Sequence, residues 1–219
     1  MTLDIKICGL KSLEAVEAAL REGASHIGFI FFEKSPRNID LAAAATLRQA
    51  VLGHARAVAV TVDADDARLD AIVAAMQPDI LQLHGKETPE RVAAVRSRYD
   101  LPVMKAFSVS TADDLTRVDA YSAVTDRFLF DAKPPQGSEL PGGNGVSFDW
   151  RLLAGLDPSV DYMLSGGLNA ANVGDALRLA HPPGLDISSG VESQPGVKDP
   201  TLIAEFFKSV RTAQQTSAT

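Results

Sequence analysis

Cys8 and Asp131 stand where a proton-transfer pair is most easily built. Cys8, the only cysteine, closes the apolar run Ile5-Lys-Ile-Cys8, and Asp131 closes Arg127-Phe-Leu-Phe-Asp131. Gly9 ends the first run and leaves the thiol at its tip. A thiol and a carboxylate at the carboxyl ends of two strands can act as base and acid. Each also has a plainer reading: a lone cysteine is often a small core hydrophobe, and Asp131 lies close enough to Lys133 to pair with it. As a base the thiol needs a cationic or hydrogen-bonding neighbour to bring it below its ordinary value of ~8.5. As an acid, Asp131 needs burial or a second negative charge to keep its proton.

Two later loops read as an anion grip. Gly166-Gly167-Leu168-Asn169-Ala170 runs into a predicted helix whose start supplies free N–H donors. Ser188-Ser189-Gly190-Val191-Glu192 adds hydroxyls, further N–H groups and the start of a short extra helix. After the seventh and eighth strands, such loops form the usual phosphate site of barrel enzymes.

Arg37, in Glu33-Lys-Ser-Pro-Arg-Asn38, can hold a carboxylate with both prongs while Phe31 or Phe32 offers a ring face to an aromatic group. A solvated loop arginine is the alternative. His84 ends Gln82-Leu-His-Gly85 and is expected to orient groups rather than move protons. The connection 132–147 is rich in proline and glycine, and its length suits a lid with Gly142 and Gly143 against the substrate.

These residues need elements to position them. Strand character recurs near 3–8, 26–31, 57–62, 79–84, 102–107, 127–131, 161–165 and 185–188. Helical spacing intervenes near 12–22, 40–52, 65–76, 87–98, 111–119, 148–155, 170–180 and 200–213, with Ser12, Pro89 and Pro200 marking starts. Alternating β and α elements imply a parallel sheet, and eight units close a single (β/α)8 TIM barrel over 1–211, leaving 212–219 as a frayed tail. A doubly wound open sheet is the runner-up, but Cys8-Gly9-Leu10-Lys11-Ser12 is not a dinucleotide fingerprint. Side-chain alternation puts Lys6 and Asp186 inside the barrel one layer below the mouth, where a buried ammonium needs a partner; Asp186 is also expected to border the substrate.

Composition narrows the function classes. The 219 residues are 46% hydrophobic and only 6% aromatic, which indicates an aliphatic core. A net charge of -7 with scattered basic residues argues against nucleic acid, so an anionic ligand must be held locally. One cysteine and no metal-ligand spacing lead us to expect no disulfide, no metal and a reducing cytoplasm. No signal peptide or bilayer-spanning run is read, and a monomer is expected.

Taken in order, the motifs resemble the phosphoribosylanthranilate isomerases of tryptophan biosynthesis. The matching stretches are Lys-Ile-Cys-Gly at 6–9, Gly-Phe-Ile-Phe at 28–31 with Ser-Pro-Arg at 35–37, Gln-Leu-His-Gly at 82–85 and Phe-Asp-Ala-Lys at 130–133. Pro-Gly-Gly-Asn-Gly at 141–145, Phe-Asp-Trp at 148–150, Leu-Ser-Gly-Gly-Leu at 164–168, Ser-Ser-Gly-Val-Glu-Ser at 188–193 and Pro-Gly-Val-Lys-Asp at 195–199 follow. The resemblance implies a cofactor-independent Amadori rearrangement of N-(5-phosphoribosyl)anthranilate, with Cys8 as general base and Asp131 as general acid. It also implies Arg37 on the anthranilate carboxylate and the loops at 166–167 and 188–190 on the phosphate. Asn144 departs from the usual Gly-Gly-Thr-Gly, and Leu10-Lys11-Ser12 replaces a more frequent hydrophobe-Thr-Arg. An isomerase of another aminoribotide and a non-catalytic phosphate-binding barrel are the competing readings; neither an internal repeat nor an aspartate at the first strand end supports the former.

Overall fold

The computed structural model describes residues 3–138 and 140–217. Its eight parallel strands are β1 (Asp4–Cys8), β2 (His26–Phe31), β3 (Arg56–Thr61), β4 (Ile80–Leu83), β5 (Val103–Val109), β6 (Arg127–Ala132), β7 (Tyr162–Leu164) and β8 (Gly184–Ile187). They close into a barrel in chain order, with β8 hydrogen-bonded to β1. The (β/α)8 architecture expected from the alternating pattern is therefore the one observed.

Period-two alternation divides each strand between two cores. Cys8, Val58, Val60, Ile80, Met104, Ala106, Leu129 and Met163 pack together inside the barrel. Their outward neighbours, among them Ile7, Phe29, Leu81, Phe130, Leu164 and Ile187, belong to a larger core shared with the helices. The floor is electrostatic: Arg127 donates to Asp4 at 2.6 Å and pairs with Asp161 at 3.1 Å.

The helices are α1 (Leu13–Glu22), α2 (Leu41–Val51), α3 (Asp66–Met76), α4 (Pro89–Tyr99), α5 (Val173–Ala180) and α6 (Pro200–Ser217). Ser12 caps α1 by accepting from the Ala15 N–H at 3.3 Å, and Gly23 ends it at φ 100°, a left-handed turn favouring glycine. Pro89 opens α4 where its missing N–H costs nothing.

Four expectations are corrected. The segments Ala112–Tyr121 and Trp150–Gly155 are 3-10 helices rather than α-helices. In the first, Thr116 and Ser122 donate to the carbonyls three residues back, at Asp113 and Asp119, favouring the tighter turn. Helix α5 begins at Val173 instead of 170, because Asn169 and Asn172 cap each other's backbone and form a turn there. Helix α6 continues to Ser217, supported by Thr212 and Thr216 hydroxyls bonded to carbonyls one turn back, so 212–217 is helical where frayed chain was expected. Positions 218 and 219 lie outside the described residues. A short hairpin of β9 (Glu192–Gln194) and β10 (Val197–Lys198), not anticipated from sequence, stands beside the mouth.

Candidate active site

Lys6 and Asp186 occupy the same level of neighbouring strands, and the register pairs them across β1 and β8. The Lys6 ammonium donates to Asp186 Oδ1 at 2.8 Å, and Ser165 donates to Oδ2 at 3.2 Å. Burial alone would lower the Lys6 pKa, but the Asp186 charge and Cys8 outweigh it and hold it above its ordinary value. The expected ion pair is present.

Cys8 lies two residues above Lys6 on the same face of β1. Glycine leaves it room across on β2: a Cβ on Gly28 would lie 3.0 Å from both Cys8 Sγ and Lys6 Cε, so both side chains would have to give by a few tenths of an ångström. Burial pushes the Cys8 thiol up, and the Asp186 charge adds to this; Lys6 and Lys198 pull it down without reversing the direction. This corrects the expectation that a cationic neighbour would bring the thiol below its usual range. Desolvation outweighs the ammonium because Asp186 already offsets much of that charge.

Asp131 ends the inward face of β6 and is buried, with Oδ1 accepting from the Ala132 N–H at 2.9 Å. His84 Nε2 stands 3.6 Å from Asp131 Oδ2, while His84 Nδ1 lies 3.3 Å from Gln82 Nε2. If the Gln82 amide donates, the imidazole proton is on Nε2 and faces Asp131.

Cys8, Arg37, His84 and Asp131 border one cavity at the carboxyl ends of the strands. Asp186, Ser188 and Ser189 also line it, as do Gly142, Gly143, Gly166 and Gly167. Gly142 is tied to its place because any Cβ would overlap Asp131 Oδ2. Asn144 braces the same loop, donating to the Leu140 carbonyl at 3.2 Å and accepting from the Ser138 hydroxyl at 3.0 Å.

Three details refine the sequence reading. Gly190 packs the eighth loop on the seventh instead of lining the cavity, since a Cβ there would overlap the Leu168 carbonyl. Phe32 faces the cavity whereas Phe31 belongs to the outer core, because strand alternation sends Phe31 outward. The N–H groups of Asn169, Ala171 and Asn172 are already bonded to asparagine side chains, so these three are not the free donors expected of a helix start.

Arg37 meets a residue the sequence reading did not assign. Its Nε donates to Glu192 Oε1 at 2.7 Å and its Nη2 to Glu192 Oε2 at 2.9 Å, so one forked edge is occupied within the protein. Nη2 also donates to the Gly143 carbonyl at 3.2 Å, so Nη1 is the nitrogen that these three bonds leave for another acceptor. Lys198, buried behind Glu192, donates to its Oε1 at 2.6 Å. Burial brings Lys198 down to about 8 despite the opposing pull of Glu192. Both residues fall within stretches that carry the family resemblance, but their pairing depends on a hairpin that short polar strands do not signal.

A family model for N-(5'phosphoribosyl)anthranilate (PRA) isomerase matches residues 5–209. The chain belongs to this family. The PRA isomerase of Mesorhizobium japonicum is 69% identical over 218 residues, covering 100% of both chains. That of a Chelativorans species is 65% identical over 214 residues, 98% of each. Among solved PRA isomerases, the enzyme of Thermotoga maritima superposes with TM-score 0.86 at 33% identity, covering 96% of this chain and 100% of its own. A PRA isomerase in complex with reduced 1-(o-carboxyphenylamino)-1-deoxyribulose 5-phosphate gives TM-score 0.84 at 30% identity, with the same coverage. Among the described residues no cluster of three or more His, Cys, Asp or Glu could hold a metal ion, and no helix is long and apolar enough to cross a membrane.

Proposed function

We propose that this chain isomerises N-(5'-phosphoribosyl)anthranilate in tryptophan biosynthesis by an Amadori rearrangement, with Asp131 as general acid and Cys8 as general base. The observation that carries the assignment is that these two groups, on β6 and β1, border the same cavity in a chain belonging to the PRA isomerase family.

Asp131 gives its proton to the ribose ring oxygen as the bond from that oxygen to C1 breaks, and the anthranilate nitrogen forms the iminium. Cys8 then removes the C2 proton, and the C–H electrons form the C1–C2 double bond of an enolamine. Tautomerisation of the 2-hydroxyl to the ketone, with protonation at C1, completes the 1-deoxyribulose product. A buried thiol is less often ionised at neutral pH, but its thiolate is the stronger base. An iminium-activated C2 proton suits such a base. His84 orients Asp131, Arg37 takes the anthranilate carboxylate on Nη1, and the loops at Gly166-Gly167 and Ser188-Ser189 take the phosphate. The lone thiol and phosphorylated substrate suit a cytoplasmic enzyme. We further propose a monomer; sedimentation at 23.2 kDa would support it, and a dimer, the state named for the Thermotoga maritima enzyme, would overturn it.

The test is turnover of freshly prepared N-(5'-phosphoribosyl)anthranilate, followed by loss of anthranilate fluorescence. Cys8→Ala and Asp131→Asn should each lower kcat by about 10²–10⁴-fold. Wild-type inactivity, or full activity in either variant, would overturn the assignment.

A further inference from the structure

We propose that Glu192, held in place by Lys198, is the positioning residue that aims the Arg37 guanidinium at the carboxylate of the substrate. The proposal rests on the function assigned above and adds residues to which no role has been given.

Arg37 is a long side chain on a loop after β2, and such a chain has many rotamers to lose. Its stem is confined first by Gly9, which at φ 80° carries no Cβ; one there would come within 2.8 Å of Arg37 Cδ. Its head is confined by Glu192, whose two oxygens match the Nε and Nη2 edge of the planar guanidinium. This fixes both the plane of the group and the direction in which Nη1 points.

Glu192 is itself fully engaged. Oε1 accepts from Lys198 as well as Arg37, and Oε2 accepts from the Gly196 N–H at 3.2 Å as well as Arg37. Its carboxyl lies below its ordinary value: burial would raise it, and bonds from Arg37 and Lys198 outweigh that. The β9–β10 hairpin sets Lys198 opposite Glu192, and its turn abuts the Arg37 loop, since a Cβ on Gly196 would overlap the Pro36 carbonyl.

The other end of the network reaches the loop after β8. Lys198 donates to the Ser188 carbonyl at 2.9 Å and hydroxyl at 3.2 Å, and the Ser188 hydroxyl donates to the Cys8 carbonyl at 3.1 Å. One bonded chain therefore links the strand end carrying Cys8, the proposed phosphate loop and the proposed carboxylate grip. Three buried charges are an expensive way to hold a hairpin, because buried ion pairs seldom stabilise a fold more than apolar replacements would. With two cations and one anion, the cluster also keeps a net positive charge beside a cavity assigned to an anionic substrate.

Positioning through Arg37 makes a demand that a purely structural role does not. Loss of Glu192 must harm a substrate bearing the carboxylate far more than one lacking it. We would compare N-(5'-phosphoribosyl)anthranilate with N-(5'-phosphoribosyl)aniline, using wild type, Glu192→Gln and Lys198→Met, with product formation followed by chromatography. Glu192→Gln should lower kcat/KM for the anthranilate about 30-fold, chiefly through KM, yet change that for the aniline less than threefold. Lys198→Met should give a smaller loss with the same selectivity. In an Arg37→Met background, Glu192→Gln should have no further effect.

Equal losses on both substrates, or no loss on the anthranilate, would overturn the positioning role while leaving the isomerase assignment intact. If Glu192→Gln does not fold, Lys198→Met carries the same test, because it removes the bond that holds Glu192 Oε1 in place and so loosens Arg37 through Glu192. A wild type inactive on both substrates would overturn the isomerase reading and this proposal with it.

Discussion

Lys6 Nζ lies 2.8 Å from Asp186 Oδ1 across adjacent strands, directly beneath the layer that holds Cys8. The pair sets the charge environment under the thiol, since Lys6 pulls the Cys8 pKa down and Asp186 pushes it up. It also makes the barrel interior dependent on charge balance.

Lys6→Met should destabilise the protein by about 3–5 kcal/mol, because a buried aspartate would lose its partner. Adding Asp186→Leu should restore part of that loss, even though the second change removes another polar group. Denaturant midpoints of the two variants measure this; a double variant less stable than Lys6→Met would contradict the account.

Cys8 should alkylate slowly at neutral pH and faster as pH rises, with a midpoint above the ordinary thiol value of ~8.5, because burial is the dominant influence on it. Iodoacetamide rates between neutral and alkaline pH are the measurement. A midpoint below ~8.5 would mean that Lys6 and Lys198 prevail over desolvation.

Gly142→Ala should leave stability nearly unchanged and lower kcat/KM about 10–100-fold, since a methyl there must displace either the loop or Asp131. Thermal unfolding beside steady-state kinetics separates the two effects. Unaltered kinetics would show that the loop need not approach Asp131 during turnover.

His26, on the barrel floor, is held down to about 4. Burial is the main cause; Asp4 opposes it, while Arg127, Lys6 and Arg56 reinforce it. Because the unfolded chain takes up a proton near 6.5 and the folded one only near 4, stability should be full above pH 6.5. Roughly 3 kcal/mol should then be lost as pH falls to 4. Denaturant unfolding of wild type and His26→Gln across this window tests it, since the variant should lose the histidine component of the slope.

The barrel and the placement of Cys8 and Asp131 at its mouth were legible because both rest on local rules. Apolar alternation marks a strand wherever it occurs, glycine marks its end, and a polar residue at that end must sit at the mouth once the strands are parallel. The same alternation placed Lys6 and Asp186 on inward faces. Helix ends were less legible: Asn169 and Asn172 read as ordinary loop residues until their side chains were found bonded to one another's backbone.

Tertiary structure decided what depends on distance through space. The strand-end identity of Cys8 says nothing about how much water surrounds it, yet desolvation sets the direction of its pKa. Arg37 looked free to take a carboxylate with two prongs because Glu192 is remote in sequence; the hairpin brings them together and occupies the Nε and Nη2 edge. Sequence pattern carries the backbone hydrogen-bonding plan because that plan is periodic, whereas the partners of a long charged side chain follow from the closure of the whole barrel.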